Sequence, residues 1–283
     1  MLQREIRYAP LNGIRAAYQV TGSGLPILFL HGFPRTQRTW EQIIPALAGQ
    51  FTLVTCDRRG YGDTDRPADL ASMTCETITS DHLALIDHLG YESFLVVGHD
   101  KGAAPARRLA LENPARVKGL VILDGMPDGV EIARPRDQSG RQWYMEFFRQ
   151  RGVAEQLIGQ NPRLFFSLFL DRNPHLKPEE HEYYLNMFCR RGTVDAVLAD
   201  YRAGAGDAEY WRAGAASFEK MRVPVLVLWG GHGPSSASPM LEAWRRVVED
   251  VQGEAIDSGH YLHEEQPDLV ARRILAFAQA HTT

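Results

Sequence analysis

A carboxylate stands at the point of a sharp turn in the middle of the chain. Residues 93–98 form an apolar, β-branched run. Gly98-His99-Asp100-Lys101-Gly102 follows, and residues 103–113 read as a helix. This strand–turn–helix pattern is the context of a nucleophile elbow. The flanking glycines let strand and helix pass closely and leave the Asp100 side chain at the strand's C-terminal end. Ionised at neutral pH, an aspartate attacks carbon without an activating base and forms an ester that water must cleave. Asp100 also reads as a helix N-cap, a purely structural use.

The elements that must hold this turn alternate along the chain. Strands are predicted at 14–20, 27–30, 51–56, 93–98, 117–123, 223–229 and 254–256, and helices at 39–47, 77–89, 103–113, 240–249 and 269–280. Such alternation implies an α/β fold with a mostly parallel central sheet flanked by helices, and ligands in such sheets bind beyond the C-terminal strand ends. Between Asp124 and Val223 the pattern changes to aromatic-rich helical spacing at 143–150, 153–159, 163–170, 179–188 and 193–201, with no strand-like run. The expected organisation is a core of residues 1–127 and 221–283 with an inserted helical cap, or lid, over 128–220. A lid covers a site and excludes water.

Composition narrows the class. A chain of 283 residues with 44% hydrophobic content can bury a large core. Its net charge is −4, and no Lys/Arg run tracks a phosphate backbone, so neither nucleic acid nor a membrane is an expected partner. The N-terminal residues lack an apolar signal segment and no stretch reaches 18 unbroken apolar residues, so a cytoplasmic protein is expected. Cys56, Cys75 and Cys189 read as reduced thiols. No metal site is expected, because no His/Asp/Cys cluster has ligand spacing. No nucleotide cofactor is expected either, because the turn around Asp100 lacks a phosphate-binding glycine pattern.

His31-Gly-Phe-Pro34, Asp57-Arg-Arg-Gly-Tyr-Gly62, Gly98-His-Asp-Lys-Gly102, the insert and Gly259-His260 occur in an order that spans nearly the whole chain. In this the chain resembles an α/β-hydrolase of the branch containing epoxide hydrolases, haloalkane dehalogenases and fluoroacetate dehalogenases. The resemblance implies a triad in the chain order nucleophile, acid, histidine. His260, on a loop past a predicted strand, is the expected base that deprotonates water for ester cleavage. His31 and His99 are expected to tie down their loops. For the acid, the turn from Trp229 to Ser235 carries no carboxylate where many epoxide hydrolases have one. Asp124 fills the alternative position used by fluoroacetate dehalogenases and some epoxide hydrolases, with Asp128 and Asp257 as rivals. The fold implies backbone oxyanion donors at Phe33 and Lys101. Phe33 and Trp143 are expected to line the pocket, and Asp57–Gly62 to be structural.

Tyr144 and Tyr201 lie in segments resembling those where epoxide hydrolases place a pair of ring-opening tyrosines, and phenols there could protonate the departing ring oxygen. They also read as ordinary amphipathic lid residues. The expected activity is therefore epoxide hydrolysis of a small-molecule substrate. The alternative is a haloacetate or haloalkane dehalogenase acting on an organohalide with the same triad. It is weakened by Lys101 and Ala104, where the fluoroacetate enzymes carry two arginines, and by Met145-Glu146, where they carry His-Trp; Glu146 would repel a departing fluoride. A third reading is a catalytically silent hydrolase fold serving as a binding module, which retention of Asp100 and His260 argues against. A homodimer is left open.

Overall fold

A computed structural model describes residues 5–130, 143–215, 219–236 and 238–281. Eight strands form one sheet. β1 (Arg7–Leu11) and β2 (Ile14–Gly22) make an edge hairpin, followed by β3 (Pro26–Leu30), β4 (Thr52–Cys56), β5 (Phe94–His99), β6 (Val117–Leu123), β7 (Val225–Gly230) and β8 (Val251–Ile256). The spatial order is β1-β2-β4-β3-β5-β6-β7-β8. β2 runs antiparallel to β4, and every pairing from β4 onward is parallel.

Burial explains this arrangement. All residues of β3, β4 and β5 are buried, as expected for central parallel strands covered on both faces. Alternate side chains feed two cores. Leu28, Leu30, Val54 and Val96 join Leu85, Ile86, Leu109 and Trp244, beneath α2 (Cys75–His88), α3 (Ala103–Glu112) and α9 (Met240–Arg245). Ile27, Phe29, Leu95 and Val97 join Ile44, Leu47, Ile274 and Phe277, beneath α1 (Ile44–Leu47) and α11 (Pro267–His281).

The long helix expected at 39–47 is broken in two. A 3-10 turn at Gln37–Trp40 precedes α1, because Pro45 lacks the N–H that a continuous helix would need and sits instead in the first turn of α1. The helix expected to reach residue 249 ends at Arg245, since Val248 pairs with Met221 in a bridge. β8 starts earlier than expected, its polar residues tolerated at the sheet edge. β1 was not anticipated.

Five helices follow β6 in the chain and precede β7: α4 (Trp143–Arg149), α5 (Val153–Gln160), α6 (Pro162–Leu170), α7 (Pro178–Phe188) and α8 (Thr193–Ala215). The last runs well past the expected end at residue 201. Residues 131–142, where the insert was expected to begin, lie outside the described residues. A third core joins the insert to the sheet side, packing Phe148, Phe166, Phe169 and Phe188 around Phe33, Tyr61 and Met73. A short α10 (Leu262–Glu265) follows the loop after β8. Cys56, Cys75 and Cys189 are free thiols.

The turn after β5 depends on its glycines. A Cβ at Gly98 would come 2.5 Å from the Gly102 carbonyl oxygen, and one at Gly102 would overlap the Leu30 carbonyl. Backbone cannot yield as a flexible side chain can. Gly102→Ala is therefore expected to destabilise the fold by about 2–3 kcal/mol, read as a lower urea midpoint at unchanged m-value.

Candidate active site

The groups at issue converge at the C-terminal edge of the parallel strands. Asp100 follows β5 and Asp124 follows β6, and each has a backbone φ of 50°. Left-handed backbone is uncommon outside glycine, though aspartate tolerates it better than most residues. Two neighbouring strands thus end in the same unusual way, each presenting a carboxylate. The Asp124 backbone is locked, its N–H donating to the Leu228 carbonyl at 2.8 Å.

His260 joins the two carboxylates. Its Nδ1 makes a short hydrogen bond to Asp124 Oδ2, and its Nε2 lies 3.4 Å from Asp100 Oδ2. The Asp124 side chain is fully buried, and its second oxygen accepts from the Gly230 N–H at 3.1 Å. That anchor fixes the carboxylate that orients the imidazole. His99 supports the loop from below, its Nε2–H donating to the His260 carbonyl at 2.9 Å. His31 ties down its own loop: its Nδ1–H donates to the Gly32 carbonyl and its Nε2 accepts from the Arg58 N–H. The rivals for the acid are elsewhere. Asp257 is exposed and pairs with His232 at 2.5 Å, and the Asp128 carbonyl accepts from Arg107.

The ionisation states follow from this line. Burial opposes charge on Asp100, but the hydrogen bond and charge of His260, with His99 and the Phe33 amide, hold its carboxyl well below the usual range. Burial likewise opposes charge on His260, yet Asp124 and Asp100 together raise its pKa to about 10. At rest an Asp100 carboxylate therefore faces a His260 imidazolium.

Phe33 is in position as an oxyanion donor. Its N–H donates to Asp100 Oδ1 at 2.9 Å. No hydrogen bond joins the Lys101 amide to that carboxylate among the described residues. The Lys101 ammonium turns away, 3.2 Å from Asp200 Oδ1 and 4.3 Å above the Tyr201 ring.

A cavity of about 570 Å³ opens over Asp100, with Phe33, His260, Tyr144 and Phe169 among its walls. Such a volume suits a small-molecule ligand. Tyr144 and Tyr201 sit together, their rings 5.8 Å apart and perpendicular. Tyr144 lines the cavity, whereas Tyr201 is packed behind it against Phe33 and Phe148. Burial, then the charge of Asp100, raises the Tyr144 phenol to about 12. Burial, then Tyr144 and Asp100, keeps Tyr201 protonated as well.

Trp143 does not line the cavity as expected. Successive helical residues point about 100° apart. With Tyr144 facing inward, Trp143 lies largely exposed against Phe147 and Phe165. Glu146 also points outward, paired with Arg149 at 2.6 Å, so it cannot repel a leaving group. Asp57 is structural, accepting from the Gln37 and Asp63 backbone N–H groups at 2.7 and 2.9 Å.

Two buried networks escaped the sequence reading. Asp200, directly before Tyr201, accepts from Arg58 at 3.2 Å, from the Tyr61 hydroxyl at 2.7 Å and from Lys101, fixing the turn of α8 that carries Tyr201. Glu264 accepts from Arg35 at 2.8 and 2.9 Å and from Asn173 Nδ2 at 2.7 Å. It thereby ties the Phe33 turn and the insert to α10, just beyond His260. A buried aspartate inside a helix was the one available hint of the first network; nothing local marked the second.

The chain belongs to the α/β-hydrolase fold family, whose family model matches residues 26–267. It is 30% identical over 283 residues to the soluble epoxide hydrolase of Corynebacterium sp. (strain C12), covering 95% of each protein. It is also 30% identical over 269 residues to the fluoroacetate dehalogenase of Burkholderia sp, covering 91% of this chain and 88% of that one. Among solved structures, epoxide hydrolase CorEH without ligand matches with a TM-score of 0.89 at 30% identity, covering 98% of this chain and 99% of that one. Among the described residues, no helix is long and apolar enough to cross a membrane.

Proposed function

We propose that the protein opens epoxides to vicinal diols through an alkyl ester on Asp100. The observation that carries this reading is one cavity with an ionised carboxylate, a paired imidazole and a protonated phenol on its wall, Asp100, His260 and Tyr144. Residues 128–220 serve as the lid on a core of 1–127 and 221–283. The similarity to the Corynebacterium soluble epoxide hydrolase is consistent with this reading.

In the first step Asp100 Oδ2 attacks an epoxide carbon and the ring C–O bond breaks. Tyr144, backed by Tyr201, gives its proton to the departing oxygen; an alkoxide is far more basic than a phenolate, so the raised phenol pKa keeps the donor loaded without blocking transfer. Esterification removes the Asp100 charge that helped hold His260 protonated, and the imidazolium releases its proton to restore the phenol. Neutral His260 then takes a proton from water, whose oxygen attacks the ester carbon. The charge that develops on Oδ1 meets the Phe33 N–H. Collapse of this intermediate frees the diol, which takes its last proton from the new carboxyl group, and Asp100 returns as a carboxylate.

A second reading, dehalogenation, is favoured by the equally similar fluoroacetate dehalogenase. It fits the cavity less well. Lys101 is committed to Asp200, and the Trp143 indole lies outside the cavity wall, so neither offers an N–H to a halide.

Tyrosine substitution separates the two. Tyr144→Phe and Tyr201→Phe are each expected to slow epoxide opening by about 10–100-fold, and the double variant nearly to stop it, non-additively. A halide needs no proton from a phenol, so turnover of fluoroacetate or a bromoalkane would not show that selective loss. Equal loss on epoxide and halide substrates would point to packing alone, and unchanged epoxide turnover removes the pair from the mechanism.

A further inference from the structure

The cavity wall carries a cationic side chain that the chemistry above does not use. Arg172 lines the cavity, on the loop between α6 and α7, together with His175. Among the described residues, no carboxylate lies within salt-bridge distance of Arg172, whereas the acids of the cavity wall are engaged. Asp100 and Asp124 hold His260, Asp257 holds His232, and Glu265 accepts from the Gly259 and Tyr261 N–H groups at 2.6 and 3.1 Å.

Arg172 is also held in place. Its guanidinium carbon stands 4.8 Å over the Phe169 ring and 5.7 Å from the Tyr144 ring centre. Stacking on ring faces restrains a guanidinium while leaving its N–H edge available to a planar anion. The next residue, Asn173, is buried; its Nδ2 donates to Glu264 at 2.7 Å and its Oδ1 accepts from the His175 N–H at 2.9 Å. The loop is thus pinned to the core at the residue directly after Arg172. The remaining wall near it is apolar, with Met145, Phe169 and Pro174.

From the stacked, acid-free Arg172 at the cavity wall, we propose that this residue is a subsite for a carboxylate on the substrate. The substrate class is then an apolar epoxide with an anionic tail, which rests on the epoxide reading above. A fork of N–H donors matches a carboxylate in two parallel hydrogen bonds, which neither a neutral amide nor an ester can replace with equal strength. The free cation also offsets the negative field that Asp100 would exert on an approaching anion. Arg172 acts on affinity and selectivity rather than on the reacting atoms.

Two probe pairs test this. Equilibrium binding of para-toluate against para-toluamide involves no reaction. The wild-type protein is expected to prefer the carboxylate by about tenfold, R172Q to bind both alike, and R172K to keep part of the preference. Styrene oxide bearing a para carboxylate against the para carboxamide gives the corresponding kcat/KM ratio, which R172Q should lower mainly through KM; the parent's preference for the carboxylate should grow at low salt, and that of R172Q should not. If the wild type binds the two toluyl probes equally, if R172Q keeps the preference, or if R172Q weakens both probes alike, the subsite is wrong. If the toluate preference follows Arg172 while neither styrene oxide is hydrolysed, the subsite stands and the epoxide reading falls.

Discussion

Asp100→Asn is expected to lose roughly 10⁴-fold or more in turnover, at least about 5.5 kcal/mol of barrier, while retaining its fold. Asparagine accepts the left-handed backbone of this position, so the change removes the nucleophile without straining the turn. The isotopic form of the experiment is sharper. One turnover in ¹⁸O-water should label the Asp100 carboxylate and leave the first diol unlabelled, because the diol oxygen comes from Oδ2 and the water oxygen stays on the protein. Label in the first diol would mean that water attacks the epoxide directly, with Asp100 at most a base. Alkylation should also be indifferent to pH across the neutral range, since the Asp100 carboxyl is held well below its usual pKa.

His260→Gln should divide the reaction at its midpoint. Alkylation needs no base, so intact mass should rise by one substrate mass. Ester cleavage does need one and should slow by about 10³-fold or more, so the adduct persists. In the parent, the sign of the pH effect follows from the resting ionisation states. His260 is protonated up to about pH 10 while Asp100 is charged. Esterification removes the Asp100 contribution and leaves that of Asp124, so the imidazole pKa in the adduct falls below that value. Single-turnover ester hydrolysis should therefore accelerate as pH rises through the lowered pKa and then level off. A rate that falls with rising pH, or an adduct that clears from His260→Gln at the parent rate, would remove His260 as the base. Asp124→Asn should give a milder form of the same defect. Full activity in Asp124→Asn with loss in Asp257→Asn would reassign the acid, although Asp257 is exposed and engaged with His232.

What could be read from the sequence was local. The runs at 94–98 and 120–123 are continuous and apolar because those strand segments are covered on both faces, and the glycines around Asp100 announce a tight turn. β1 escaped notice because Pro10 argues against a strand; at a sheet edge its missing N–H costs little. Pro45 should have ended the helix expected at 39–47. The candidate triad was legible as motifs at strand ends. Its supports were not, because they pair across the chain: Arg35 with Glu264 over 229 positions, Asn173 with Glu264 over 91, Arg58 with Asp200 over 142. Trp143 shows the same limit. Two adjacent aromatics on one helix could not be assigned to inside and outside before the helix was docked.

The bond between Asn173 and Glu264 bears on how such proteins exchange parts. Glu264 is buried, with Arg35 on one side and the insert's Asn173 on the other. A helical insert transplanted from a relative would arrive without regard to that acid. Unless the donor sequence brought an amide to the same spot, the graft would take one donor from a buried carboxylate oxygen, leaving it to Arg35, and cut the tie between the insert and the turn that carries Phe33. The insert is therefore less modular than its position between two strands suggests. Successful chimeras should be those that keep Asn173, Glu264 and Arg35 as one inherited unit.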